Sequence, residues 1–207
     1  MIWNPEQAIG YAWIAWIVSW MLAAGWTRRT SQRPPFGAEL IYRLITLIGV
    51  ALIFCTYGWR TGEGVFVVGV LRPWYEPMRL WTPSDGAAWA LVALAVLGFA
   101  FCWWARIYLG RLWSGSVTLK DDHRIVDTGP YGLVRHPIYT GLILAALATA
   151  ALKGTTINLV GAALFILGCW IKARLEERFL RTQLGAEAYD AYARRIPMLV
   201  PGPPRNS

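Results

Sequence analysis

The sequence predicts an all-α, polytopic membrane protein that crosses the bilayer about five times. Three observations carry this expectation. Hydrophobic residues make up 56% of the 207 and charged residues only 15%, whereas soluble domains run nearer a quarter charged. The apolar residues are gathered into runs close to the ~20 residues a helix needs to cross the hydrocarbon. Thirteen Trp residues accompany them, and indole rings favour the headgroup region.

The first run extends from about Ala8 to Trp26 and ends at Thr27-Arg28-Arg29, before the turn-rich segment SQRPPFG. Glu6 precedes it and no basic segment does, which argues against a cleavable signal peptide. A second run is expected from Leu40 to Trp59, with Arg43 near its start. A third, and the cleanest, covers Gly86 to Ala105. Between them Arg72, Pro73, Trp74, Tyr75, Glu76 and Pro77 read as an interfacial loop, because prolines break helices and aromatics anchor at headgroups. Ile138 to Leu152 is short for a span. Lys153-Gly154 then makes a turn and Thr155 to Trp170 runs back, which predicts a C-terminal helical hairpin and leaves open whether it crosses the full membrane depth. Its second helix continues through Lys172, Arg174, Glu176, Glu177, Arg178 and Arg181 to a C-cap at Gly185.

The net charge of +8 is distributed as membrane topology, not as a basic domain, so no nucleic-acid partner is expected. Lys and Arg cluster after the first run, between the third and fourth, and in the tail. The positive-inside rule then gives an outside N-terminus and a cytoplasmic C-terminus, in a bacterial inner membrane or the endoplasmic reticulum. Cys55, Cys102 and Cys169 all sit within apolar runs; their odd number and spacing suggest neither disulfides nor a metal site.

Residues 106 to 136 and 171 to 200 flank the hairpin and should meet at one membrane face, where ionisable groups are functional candidates. Pro137 suits the first turn of the fourth helix. Arg135 and His136 then lie just before a helix N-terminus, as an anion site or as a polar cap against headgroups. Lys172 and Glu176 are i, i+4 neighbours. Glu177, Arg178 and Arg181 read as a solvated surface with intrahelical ion pairs, Tyr189 and Tyr192 as interfacial anchors, and Asp121 and Asp122 as solvated turn residues.

At these residues the sequence resembles the isoprenylcysteine carboxyl methyltransferase family and its phospholipid-methyltransferase-like relatives. The resemblance rests on GPYGLVRHPIYTG (Gly129 to Gly141), the pair Glu176-Glu177 and the tail LGAEAYDAYARRIPMLVPG, and covers roughly Ser114 to Gly202. It implies a division into N-terminal transmembrane helices (1–113) and a methyltransferase core (114–207) with a cytoplasmic cofactor pocket. It implies S-adenosylmethionine as cofactor and no metal. His123, Arg124, Ile125, Val126, Tyr131, His136, Pro137, Ile138 and Tyr139 would line the cofactor site, with Glu176 also in contact. Arg135 and Lys172 would be the catalytic candidates, holding an acceptor carboxylate. The family's prenylcysteine enzymes carry Arg at the position of Lys172, so the charge survives here but the bidentate fork does not.

The implied activity is methyl transfer onto a lipid-like or prenylated acceptor, by carboxyl O-methylation of an isoprenylcysteine-type substrate. Phospholipid or small-amphiphile N-methylation is the nearest alternative. A sterol-type reductase using NADPH would show HPNYxGE, but Ile138 and Leu142 replace the Asn and Glu. A non-enzymatic membrane binding protein would explain the hydropathy but not the RHPIY cluster.

Overall fold

The computed structural model describes residues 4–25, 30–32, 36–54, 58–61, 64–67, 79–110, 119–120 and 125–202. Among the described residues six α-helices carry the fold: α1 (Pro5–Leu22), α2 (Phe36–Phe54), α3 (Asp85–Leu109), α4 (Pro137–Lys153), α5 (Thr156–Leu184) and α6 (Ala186–Arg195). Their starts follow capping chemistry. At α1, Asn4 Oδ1 accepts from the Gln7 N–H at 2.8 Å and Gln7 Oε1 accepts from the Asn4 N–H, a capping box. Ser84 caps α3 and Thr155 caps α5 by the same side-chain-to-backbone bond. Pro137 is the first residue of α4, as expected.

The long helices run alternately between the two ends of a bundle. At one end the hairpin turn meets the N-terminus of α1 through Lys153 Nζ, 3.0 Å from Glu6 Oε2, and meets the approach to α3 through the Leu80 N–H, which donates to Gly154 O at 2.7 Å. At the other end Arg106, late in α3, donates to Ala23 O just past α1 at 2.9 Å. Gly154 makes the hairpin possible: its φ of +64° is left-handed, and a Cβ would strike the Trp81 carbonyl oxygen.

Two helix pairs are in closest backbone contact. The chain of α3 at Gly98 faces α4 at Gly141, where a Cβ on Gly98 would stand 2.5 Å from the Gly141 carbonyl oxygen. Gly49 of α2 faces Gly161 of α5 in the same way, its Cβ 2.8 Å from the Gly161 carbonyl oxygen. Small residues at such crossings let helices gain van der Waals contact where water supplies no drive to associate. A buried polar tie, Trp13 Nε1 donating to Thr149 Oγ1 at 2.9 Å, joins α1 to α4. Asn158, buried at the start of α5, donates to the Leu52 and Ile53 carbonyls at the end of α2.

The outward faces are as apolar as the interior. Ile14, Ile17, Met21 and Leu22 on α1 and Leu40, Ile41, Leu44, Leu47 and Ile48 on α2 are all exposed. In water that surface would be an aggregation site; in hydrocarbon it costs nothing. Among the described residues three helical segments, Pro5–Gly25, Asp85–Leu109 and Thr156–Gln183, are long and apolar enough to cross a membrane, and Pro137–Lys153 is a shorter apolar helix.

Two expectations change. The second run does not stay helical to Trp59: α2 ends at Phe54, and Gly58–Thr61 pairs antiparallel with Gly64–Val67. Gly58 is a poor helix former, and the residues that follow favour extended backbone. A second ribbon pairs Thr30–Gln32 with Leu119–Lys120, so short strands accompany the all-α body. The second limb of the hairpin runs on to a C-cap at Gly185, as expected. Glu176 lies 20 residues beyond Thr156, a rise of about 30 Å, close to the hydrocarbon thickness. The segment around Arg72 to Pro77 lies outside the described residues.

Candidate active site

The antiparallel course of the hairpin brings the N-terminus of α4 beside the last turns of α5, about one membrane thickness from the turn. His136 is the N-cap of α4 and is buried. Its Nδ1 lies 3.5 Å from Glu176 Oε2 and its Nε2 lies 3.3 Å from Glu177 Oε1. Carboxylates only accept, so a ring facing one on each nitrogen is best satisfied as the imidazolium, donating twice. Burial opposes that charge, but the hydrogen bonds and negative charges of Glu176 and Glu177 outweigh it, and the His136 pKa is raised above its ordinary value.

Tyr139, one turn into α4, donates its hydroxyl to Glu176 Oε1 at 2.6 Å and stacks its ring on His136 with centroids 5.4 Å apart. The Lys172 ammonium stands over the Tyr139 ring at 5.2 Å and over the Tyr42 ring of α2 at 5.7 Å. Glu176 is thereby oriented by two donors, and Tyr139 is held between a carboxylate and two cationic groups.

Arg135 lies differently from its expected role. Its Nε donates to Glu177 Oε1 at 2.7 Å, and its Nη1 donates to the Ala193 carbonyl at 2.8 Å and to the Ile196 carbonyl. The backbone N–H groups of Arg135 and His136 donate to Pro197 O and Met198 O at 2.9 and 3.1 Å, and Thr140 Oγ1 donates to Leu199 O at 2.6 Å. The end of α6 and residues 196–199 therefore strap the N-terminus of α4. The tail also reaches the short 3₁₀ turn at Gly129–Gly132: Tyr192 donates its hydroxyl to the Tyr131 carbonyl at 3.1 Å.

Several expectations are corrected here. Glu177 is not a solvated surface carboxylate: it is 8% exposed and bonded to Arg135 and His136. Arg181 pairs with Asp190 of α6 at 2.7 and 2.8 Å, between helices and not within one. Tyr189 and Tyr192 are buried instead of anchoring at an interface. Burial raises the pKa of both hydroxyls, so they remain protonated.

Of the residues expected to meet cofactor or acceptor, Arg135, His136, Tyr139, Lys172 and Glu176 form one connected cluster. Tyr131 is buried beside it under Tyr192, and burial raises its pKa. Pro137 is buried as the first residue of α4, and the Ile138 carbonyl accepts from Cys102 Sγ at 3.3 Å. Ile125 and Val126 are half-buried, just before Asp127, which pairs with Arg195 at 3.1 Å. His123, Arg124, Asp121 and Asp122 lie outside the described residues. Among the described residues no group of His, Cys, Asp and Glu could hold a metal ion. Tyr42 is a participant that sequence reasoning passed over, and Glu177 is one it read as solvated. The only signal for Tyr42 was its place beside Glu39 and Arg43 at the start of an apolar run.

These features define a helical integral membrane protein with a buried cluster of ionisable side chains at one end of the bundle. Residues 91–182 match the isoprenylcysteine carboxyl methyltransferase (ICMT) family. That stretch contains α4, α5 as far as Thr182 and the cluster between them, and the resemblance read over Ser114 to Gly202 is borne out from residue 114 to 182. Among relatives, the chain is 34% identical over 103 residues to a protein-S-isoprenylcysteine O-methyltransferase of Schizosaccharomyces pombe, covering 47% of this chain and 42% of that one. It is 40% identical over 137 residues to methanethiol S-methyltransferase 2 of Bradyrhizobium diazoefficiens, covering 60% and 51%. To protein-S-isoprenylcysteine O-methyltransferase B of Arabidopsis thaliana it is 25% identical over 142 residues, covering 67% and 66%. The matched stretches thus span about half the length of these relatives.

Proposed function

We propose that the protein transfers a methyl group from S-adenosylmethionine to an acidic, lipid-like acceptor, by carboxyl O-methylation of an isoprenylcysteine-type substrate. The observation that carries this reading is the His136–Tyr139–Glu176 cluster within the family-matched segment. Its residues fit the cofactor. Glu176 keeps acceptor capacity beyond its two donors, and the Tyr139 ring already carries a cation at 5.2 Å, the contact a positively charged centre would need. Tyr131, His136, Pro137, Ile138 and Tyr139 would form the wall on the α4 side and Glu176 the wall on the α5 side, with His123 to Val126 completing it.

When bound, the cofactor supplies an activated methyl group. The protein's work is to align the acceptor and keep the site dry, since displacement at a methyl carbon needs no covalent help from a side chain. The acceptor's conjugate base is the nucleophile, and a carboxylate is ionised already at neutral pH, so no general base is required. Around the site three cationic side chains, Arg135, His136 and Lys172, face two carboxylates. That balance favours an anionic acceptor over a protonated amine. Lys172 would hold the acceptor's charge. Arg135 binds Glu177 through Nε and two carbonyls through Nη1, and so positions the α4 terminus.

A thiol acceptor is the second reading, favoured by the 40% identity to a methanethiol S-methyltransferase. A cytoplasmic C-terminus and about five crossings belong to the same proposal, and the alternating course of the helices supports them.

The test is calorimetric titration of the detergent-solubilised protein with S-adenosylhomocysteine, followed by transfer of labelled methyl to S-farnesylcysteine and to a small alkanethiol. Saturable binding that Glu176→Ala weakens, with label on either acceptor, is the expected result. A folded wild type that binds no S-adenosylhomocysteine would refute the reading.

A further inference from the structure

The family-matched segment begins at residue 91, yet one wall of the cluster comes from α2, far upstream of it. Tyr42 is 4% exposed, and its ring lies under the Lys172 ammonium at 5.7 Å. Glu176 and Tyr139 are its electrostatic neighbours. Its hydroxyl is buried; among the described residues only the Arg43 guanidinium, which donates and cannot accept, stands close to it, so the O–H itself has no acceptor. A buried O–H without an acceptor is costly, and native structures keep one where something else supplies the bond.

The backbone under Tyr42 is fixed. Thr46 Oγ1 donates to the Tyr42 carbonyl at 2.7 Å and packs against Gly168 of α5. Glu39 and Arg43 pair on the same turn, and the Arg43 guanidinium stands 5.9 Å from the centre of the Tyr42 ring. Next along α2, Leu40, Ile41 and Leu44 face outward. Tyr42 therefore sits where the charged cluster meets an apolar outer surface, as an acceptor with an acidic head and a hydrocarbon body requires.

We propose that Tyr42 is an acceptor-binding residue, its hydroxyl donating to the anionic head of the acceptor beside Lys172. This rests on the methyltransferase reading above. The donor is a phenol at the end of a rigid ring, so it selects the position of a carboxylate or thiolate and contributes nothing to the cofactor. A carboxylate and a thiolate share that chemistry, and the two acceptors of the assay separate them.

Tyr42→Phe removes only the hydroxyl. In the full-length protein we expect S-adenosylhomocysteine affinity equal to wild type and KM for the acceptor raised about tenfold, as for a lost hydrogen bond to a charged group. The thermal midpoint should barely move, because the O–H donates to no acceptor in the protein and Arg43 keeps its ion pair with Glu39. A KM effect confined to S-farnesylcysteine assigns the carboxylate, and one confined to the alkanethiol assigns the thiolate. Unchanged KM for both acceptors would overturn the proposal, and so would a lowered thermal midpoint, which would mean the hydroxyl serves the fold. A wild type that binds S-adenosylhomocysteine but methylates neither acceptor also overturns it, by removing the acidic acceptor. A wild type that fails to bind S-adenosylhomocysteine sinks the underlying reading instead. In each case Lys172→Met marks the scale, since it removes the neighbouring charge and should raise KM further.

Discussion

Removing the Glu177 carboxylate tests the geometry of the cluster without reference to any substrate. The side chains of Arg135 and Glu177 are each 10% exposed and meet at 2.7 Å. Breaking a buried ion pair from one side leaves the other charge uncompensated and typically costs about 3–5 kcal/mol. Arg135 keeps the Ala193 and Ile196 carbonyls in the Glu177→Ala protein, which places the expected cost near the lower bound, about 3 kcal/mol. His136 also loses one of its two acceptors. For a chain of this length about 2–4 °C of midpoint follows each kcal/mol, so the thermal midpoint should fall by roughly 6–12 °C. Thermal unfolding in detergent, followed by tryptophan fluorescence, measures it beside Glu187→Ala, an exposed carboxylate on α6 that should leave the midpoint unchanged. A solvated Glu177 would behave as Glu187 does. If the two variants melt together, the packing of α5 on α4 described here is wrong.

His136 gives a pH dependence of definite sign. Its pKa is raised in the folded protein, so its contribution to stability is fully present below the ordinary value of 6.5 and is lost as pH rises through the folded value. The midpoint gap between wild type and His136→Gln should therefore narrow as pH climbs above 6.5, and a gap that widens would contradict the imidazolium assignment. Gly98→Ala should lower the midpoint by the equivalent of about 1–3 kcal/mol, since its Cβ would meet the Gly141 backbone, whereas Gly86→Ala meets nothing. Tyr192→Phe should cost about 0.5–1.5 kcal/mol through the lost bond to Tyr131 O and should weaken S-adenosylhomocysteine binding if that turn shapes the cofactor wall. Asp190→Asn should leave the midpoint unmoved, because its bidentate pair with Arg181 is open to solvent.

Much of the architecture was legible before any coordinates. Periodic apolar runs located α1, α3, α4 and α5, because burial in hydrocarbon leaves a backbone little choice but helix. Pro137 and Gly154 marked a helix start and a left-handed turn, since those residues alter backbone preference directly. The RHPIY cluster and Glu176 also stood out from the chain, as polar groups beside an apolar run whose burial needs a reason.

Local sequence could not decide between neighbours. Glu176 and Glu177 are adjacent and chemically identical, and about 100° of helical rotation separates them. Only the position of α4 reveals that both turn inward, one to Tyr139 and the other to Arg135. The same holds for Arg135: its signature was visible, but the carbonyls of Ala193 and Ile196 that its Nη1 binds lie about sixty residues away. Tyr42 is separated from Lys172 by 130 residues, and no local pattern links them. The sequence by itself determined which segments enter the membrane and which residue types carry charge at its edge, because transfer free energy and backbone preference are local properties. The tertiary structure alone decided which charges meet, because a hydrogen bond depends on the rotation and approach of helices that contact one another only after the chain has folded.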